Sequence, residues 1–142
     1  MKFFRKLKLF LRLRRDRSMV ATGLVPLSAL SSAVLYLDTA DVLPEHIKTS
    51  IDKFFGQKGI KLSFLCADDP DLRTIQDLFI SLSTSGDIFE RYAAVCSEAR
   101  FKVGRRQLKG DIYDFVVTDN GPEPIPAAEA FSFIESFINN IQ

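Results

Sequence analysis

The stretch that decides the fold begins Asp77-Leu-Phe-Ile-Ser-Leu82, turns at Ser83-Thr-Ser-Gly86, and continues Asp87-Ile-Phe-Glu-Arg-Tyr-Ala-Ala-Val-Cys96-Ser-Glu-Ala-Arg100. It then reads Phe101-Lys-Val-Gly104, a basic run, and Asp111-Ile-Tyr-Asp-Phe-Val-Val117. Leu78–Leu82 is a short apolar run that stops at a hydroxyl-and-glycine turn, which predicts a buried strand. Asp87, with Glu90 three residues on, is a helix-capping arrangement. Beyond it Ile88, Phe89, Tyr92, Ala93, Cys96 and Ala99 share one inward side. Phe101–Val103 predicts a brief strand, the basic run a hairpin or loop, and Ile112–Val117 the last strand. Strand, helix and strand in this order make a crossover unit of a parallel sheet.

Working upstream, Ala33–Leu37 predicts a buried strand ending at Asp38. Pro44 stands where the first turn of a helix tolerates it, and Ile47, Ile51, Phe54 and Phe55 make that helix's inward stripe. Gly56 and Gly59 supply its stop signals. Lys61–Cys66 is the second strand, and Asp68-Asp69-Pro70-Asp71 breaks the chain. The link from Ala67 to Gln76 is too short for a crossover helix, so one helical turn at most is expected. Downstream, Asp119-Asn120-Gly121-Pro122 predicts a turn and Pro126 opens the final helix. Its Phe131, Ile134, Phe137, Ile138 and Ile141, widened by Phe133, exceed what one sheet face covers. The N-terminal segment, or a second copy in a homodimer through this helix, is expected to take the remainder. The fold expected is α/β, a three-layer sandwich with a mainly parallel, Rossmann-like sheet, preceded by a basic amphipathic N-terminal helix. The organisation expected is an arm over 1–17, a linker over 18–31 and an α/β domain over 32–142.

The chain has 142 residues, enough to bury a core without staples, and its thirteen Phe and no Trp make that core aromatic. A net charge of +1 hides an asymmetry: residues 1–17 hold eight Lys and Arg against Asp16, a balance of +7, and the remainder carries −6. As a helix the arm lines up Phe3, Phe4, Leu7, Phe10 and Leu11, with Lys2, Arg5, Lys6, Lys8, Arg12 and Arg15 opposite and Leu9 outside the stripe. A strand reading alternates Leu7, Leu9, Leu11 and Leu13 with Lys8, Phe10, Arg12 and Arg14. The absence of β-branched residues favours the helix. Ser18–Leu37 has no charge, but Gly23, Pro26 and the hydroxyls of Ser18, Thr22, Ser28, Ser31 and Ser32 weigh against a membrane span or secretory signal. A loose linker to about Ser31 is expected instead. Cys66 and Cys96 lack metal or redox spacing and read as buried thiols in a reducing cytoplasm.

In open α/β sheets ligands lie beyond the carboxyl ends of the strands. Three features are expected at that edge. Ser83, Thr84, Ser85 and Gly86 offer backbone amides to a phosphate, although Asp87 stands where an anion would sit. Asp38, Asp68, Asp69 and Asp119 form an acidic rim that reads as turn caps facing solvent. Arg105 and Arg106, in the basic loop Gly104–Gly110, could grip a phosphate, and otherwise form a solvated turn. No Walker loop is present, and His46, on the solvent side of its helix, has no partner for a hydrolytic triad. No catalytic residue, cofactor or metal is therefore expected.

The run from Gly86 to Arg105, with Ser97-Glu-Ala-Arg100-Phe-Lys-Val-Gly104 at its centre and Asp111-Ile-Tyr-Asp-Phe-Val-Val117 after it, resembles a family of small uncharacterised bacterial proteins classed as a domain of unknown function. The resemblance covers roughly Ala33 onward and implies a Rossmann-like core behind a basic N-terminal segment; it implies no activity. More distantly, the same stretch is similar to the N-terminal half of heptosyltransferase-type glycosyltransferases. That similarity implies the fold, whereas the activity would need a second, nucleotide-sugar domain.

The arm is the leading functional feature. Phe3, Phe4, Lys6, Lys8, Phe10 and Arg12 suit an anionic membrane surface or a protein partner, and the charges alone would suit nucleic acid. The competing expectation is that the arm docks on the last helix and covers Phe133 and Phe137. The reading is a non-enzymatic cytoplasmic interaction protein, peripheral to an inner membrane where the arm meets one. The alternative is a protein binding a nucleotide or sugar phosphate through Ser83–Gly86 and Arg105/Arg106.

Overall fold

The computed structural model describes residues 2–38, 43–117 and 125–141. Helix α1 (Lys2–Asp16) leads through an extended stretch and a short 3-10 turn (Leu27–Ala29) into β1 (Ser32–Leu37). There follow α2 (Glu45–Gln57), β2 (Lys61–Cys66), β3 (Leu78–Ser81), α3 (Ile88–Cys96), β4 (Phe101–Gly104), β5 (Phe115–Val116) and α4 (Ala127–Asn139). The strands form one sheet in the order β2-β1-β3-β4-β5, every pairing parallel. The expected parallel α/β sandwich is what the chain forms. The Asp119–Pro122 turn lies outside the described residues.

Alternation along the strands divides the core in two. Ala33, Leu35, Ile80 and Val103 face α2 and α4, meeting Ile51, Phe55, Phe131, Ile134 and Ile138. Val34, Tyr36 and Phe79 face α3, meeting Phe89, Tyr92 and Ala93. Two buried faces explain why β1 and β3 read as continuous apolar runs rather than alternating ones. Helix α2 ends where the Gly59 amide bonds Gly56 and the Ile60 amide bonds Phe55, with Gly59 at φ +74°. This doubly bonded stop needs a left-handed residue, which glycine supplies; Gly56 is simply helical.

Four expectations change. The link between β2 and β3 holds no helical turn, within the limit of one expected, but the gap that a crossover helix would fill on the α3 side is covered by α1. Leu9 joins Leu65, Ala67, Leu72, Phe79 and Phe89 there, while Arg5 donates to Ala67 O at 2.6 Å and to Asp69 O. The arm therefore packs on α3, across the sheet from α4, and leaves Phe133 exposed. The run between β4 and β5 is no hairpin, because those strands are parallel; Leu108, Ile112 and Tyr113 pack it over the α3 face. The last strand is only Phe115–Val116. Finally, the linker is tied down: the Ser18 amide bonds Val95 O at 3.1 Å, the Gly23 amide bonds Arg100 O at 3.0 Å, and Leu27 and Leu30 are buried. Asp77 clasps the Ser31 amide (2.9 Å) and hydroxyl (2.8 Å), bonds that hold its carboxyl below the usual range. Among the described residues no helix is long and apolar enough to cross a membrane.

Candidate functional site

With β2 on one side of β1 and β3 and β4 on the other, the sheet's switch point lies between the carboxyl ends of β1 and β3. Tyr36 and Asp38 arrive from β1, Ser81 and Ser83 from β3, Glu90 from the first turn of α3, and Tyr113 from the segment before β5. Glu90 is fully buried; Tyr113 donates its hydroxyl to Oε2 at 2.6 Å and the Gly86 amide donates to Oε1 at 3.0 Å. Burial pushes the Glu90 carboxyl up, against the pull of those two bonds and of the Ser83 and Ser81 hydroxyls. Burial, with the Glu90 carboxylate beside it, also drives the Tyr113 phenol well above its ordinary value. The Tyr36 hydroxyl is buried and has no hydrogen-bond partner among the described residues, and burial raises its pKa further than the neighbouring Asp87, Asp38 and Glu90 do.

Tyr113 reaches Glu90 by crossing directly over Gly104. A Cβ built on Gly104 would stand 2.4 Å from the Tyr113 ring, so only glycine admits this crossing. Gln107 fixes the loop from the other side, donating to Tyr113 O and accepting from the Tyr113 amide, both at 2.8 Å.

The phosphate cradle expected at Ser83–Gly86 is occupied by the chain itself. Ser81 Oγ accepts the Ser83 amide at 3.2 Å, Ser83 Oγ the Ser85 amide at 3.1 Å, and Ser85 Oγ the Asp87 amide at 3.3 Å. Glu90 takes the Gly86 amide, and Asp87 caps the Glu90 amide at 3.0 Å. Ser83 is buried and donates to Asp38 at 3.3 Å, Thr84 is half-buried, and Ser85 and Gly86 are exposed. Arg105 does come to this edge, but it is turned inward rather than solvated. Its guanidinium donates to Leu82 O at 3.2 Å and to Ile125 O at 2.5 Å, stitching the end of β3 to the approach of α4. Arg106 is exposed.

Among the described residues the acidic rim does not assemble. Asp38 pairs with Ser83, Asp69 accepts the Cys66 amide at 2.9 Å, Asp68 faces solvent, and Asp119 lies outside the described residues. Among the described residues no group of three His, Cys, Asp or Glu side chains is placed to hold a metal. His46 is exposed, as its place on α2 predicted. Cys96 is buried and its thiol is pushed up to about 11, chiefly by burial; Cys66 is only half-buried.

Sequence reasoning missed the Glu90–Tyr113–Tyr36 cluster because Glu90 was read only as a cap partner. A signal was present: Ala93-Ala94-Val95-Cys96 makes α3 apolar nearly all round, as in a helix enclosed on every side.

The second site is α1. Its body side carries Leu9, Leu13, Arg5, Arg12 and Asp16, and its outer side the stripe expected either to meet a membrane or partner or to dock on the last helix. Phe3, Phe4, Phe10 and Leu11 are 70%, 62%, 67% and 69% exposed, and Leu7 is exposed as well. Tyr92 donates to the buried Asp16 at 2.5 Å, while Arg12 and Arg15 approach it at 3.2 Å. The Tyr92 bond, then the arginines, hold the Asp16 carboxyl below its ordinary range, and the Tyr92 phenol rises to about 12, mainly through burial. Arg5 lies over the Phe89 ring at 4.9 Å and Lys6 at 5.9 Å. Arg12 thus belongs to the docked side rather than to the outer face. Helical spacing puts Lys8 and Arg15 along one border of the exposed stripe, Lys6 along the other and Arg14 within it, with Arg17 just past the helix end.

No protein-family model matches the chain, and no curated protein or solved structure matches it.

Proposed function

We propose that this chain is a peripheral membrane interaction protein that seats the outer face of α1 in an anionic bilayer surface. One observation carries the reading: α1 is fastened to the body through Leu9, Arg5 and Asp16, so that Phe3, Phe4, Leu7, Phe10 and Leu11 face outward between rows of Lys and Arg. A helix with an apolar face and basic borders lies in the plane of the headgroups. There the aromatic side chains leave water, and each basic residue adds about 1 kcal/mol on an anionic leaflet. Nucleic acid would engage the charges and leave the five apolar side chains in water, so it fits the surface less well. The exposed Met19 and Leu24 carry apolar surface beyond the end of α1. Anionic headgroups and two unpaired thiols both suit a cytoplasmic leaflet. The nucleotide or sugar-phosphate alternative is less well supported, because the Ser83, Ser85 and Gly86 amides and Arg105 already hold partners.

Vesicle sedimentation tests the proposal. The full chain is expected to pellet with phosphatidylcholine vesicles containing phosphatidylglycerol and to remain in solution with phosphatidylcholine alone. Phe3→Gln/Phe10→Gln should weaken pelleting by about tenfold or more, since two aromatic side chains lose their transfer from water. Equal pelleting of the double variant and the wild type would remove the reading. An RNA gel shift that fades with salt, without any vesicle binding, would replace it with nucleic-acid binding.

A further inference from the structure

Along the seam between α1 and α3 runs a groove of about 570 Å³. Phe10, Leu11 and Leu13 from α1 and Val95 from α3 form its apolar lining, and Arg14, Arg17 and Arg91 complete it. Among the described residues no carboxylate lines it, and the nearby Asp16 is committed to Tyr92, Arg12 and Arg15. Among the described residues Arg14 and Arg17 make no ion pair. Arg91 is fixed in place by one bond, Nη1 to Lys109 O at 2.8 Å, which leaves its other donors available. The volume falls within the range of small-ligand sites.

From this juxtaposition we infer that the groove between α1 and α3 binds the phosphomonoester headgroup of a membrane phospholipid such as phosphatidic acid, its acyl chains remaining in the bilayer. The inference rests on the membrane-surface reading and deepens it by naming the lipid. A guanidinium offers a planar fork of donors that matches phosphate oxygens, and three of them complement a headgroup carrying more than one negative charge. Phe10, Leu13 and Val95 lie where the glyceryl and first acyl carbons would follow the phosphate. Because Arg14 and Arg17 come from α1 and its end while Arg91 comes from α3, the headgroup would bridge arm and body, which a purely electrostatic helix would not do.

The experiment compares phosphatidylcholine vesicles doped with phosphatidic acid against vesicles doped with phosphatidylglycerol to the same surface potential. The wild-type chain should bind the phosphatidic acid vesicles about tenfold more tightly. Arg91→Gln and Arg14→Gln/Arg17→Gln should each abolish that preference. Lys6→Gln/Lys8→Gln removes as much charge as the arginine pair but lies away from the groove; it should weaken binding to both vesicles alike and keep the ratio. Thermal melts accompany each variant. The arginine pair is exposed on α1 and just beyond it, so it remains decisive even where Arg91→Gln disturbs packing. Equal wild-type affinity for the two vesicles, or a ratio unchanged in the arginine pair, overturns the lipid preference while leaving the membrane-surface reading intact. Binding to neither vesicle overturns both.

Discussion

At the switch point between β1 and β3, Glu90, Tyr113, Ser81, Ser83 and Arg105 are buried and turned toward one another or toward backbone groups of the same chain. On the outer face of α1, five apolar side chains stand in water although the helix that carries them is firmly docked. The first region is where an open α/β sheet ordinarily keeps its ligand, yet its polar groups hold the structure together. The second is peripheral to the sheet, yet it is the one that leaves a row of large apolar side chains in water. A position in the fold shows where chemistry can occur; which groups remain available shows where interaction is left to be made.

Three measurements bear on this contrast. The largest effect belongs to Arg105→Met. Removing a buried, charge-assisted clamp on Leu82 O and Ile125 O should cost about 3 kcal/mol of unfolding free energy, read as a lower denaturant midpoint at unchanged slope. A neutral or stabilising result would break the contrast, because residues kept for binding are commonly held at the expense of stability.

A smaller effect concerns pH. The folded-state pKa of Glu90 is raised, so its contribution to stability is fully present below the ordinary carboxylate range and is lost as pH rises through the raised value. Stability of Glu90→Gln minus that of the wild type should therefore climb with pH across that window and level off above it. A difference independent of pH would place the Glu90 carboxyl in an environment unlike the buried one described. Asp16 and Asp77, whose carboxyls are lowered, act with the opposite sign: what they contribute is present above the ordinary range and lost in acid, in both proteins alike.

The smallest effect is expected on the outer face of α1. Phe3→Gln/Phe10→Gln should change the stability of the chain in solution by no more than about 0.5 kcal/mol, as for other exposed positions, while removing most vesicle binding. A loss of several kcal/mol in the absence of vesicles would mean that these rings pack against the body, and the contrast between the two regions would disappear.

Much of the sheet was legible from short-range patterns. Lys61–Cys66 forms the strand expected, and β1, β3 and β4 each differ from their expected bounds by one residue. Asp87 caps α3 as its spacing with Glu90 implied, although Glu90 reaches back to the Gly86 amide rather than to that of Asp87. The rotation of α1 was not legible. Both of its faces carry leucines, and periodicity identifies an amphipathic helix without saying which side will find a partner. What turned Leu9 inward was the gap left by the short link between β2 and β3, together with the Arg5 bonds to Ala67 and Asp69 and the Asp16–Tyr92 bond, all contacts across many residues of sequence. Arg105 was misread for the same reason. A basic run looks solvated until Leu82 O and Ile125 O are known to stand beside one of its members.

By itself the sequence determined the class of fold, the run of strands and helices, the caps and breaks, and the division of charge between arm and body. Those are properties of neighbours along the chain, set by side-chain periodicity and backbone preference. Only the tertiary structure decided which face of α1 is buried, that Glu90 and Tyr113 meet across Gly104, and that Arg105 serves the backbone. These depend on groups far apart in sequence being brought together, where burial and hydrogen bonding choose among orientations that local pattern leaves equal.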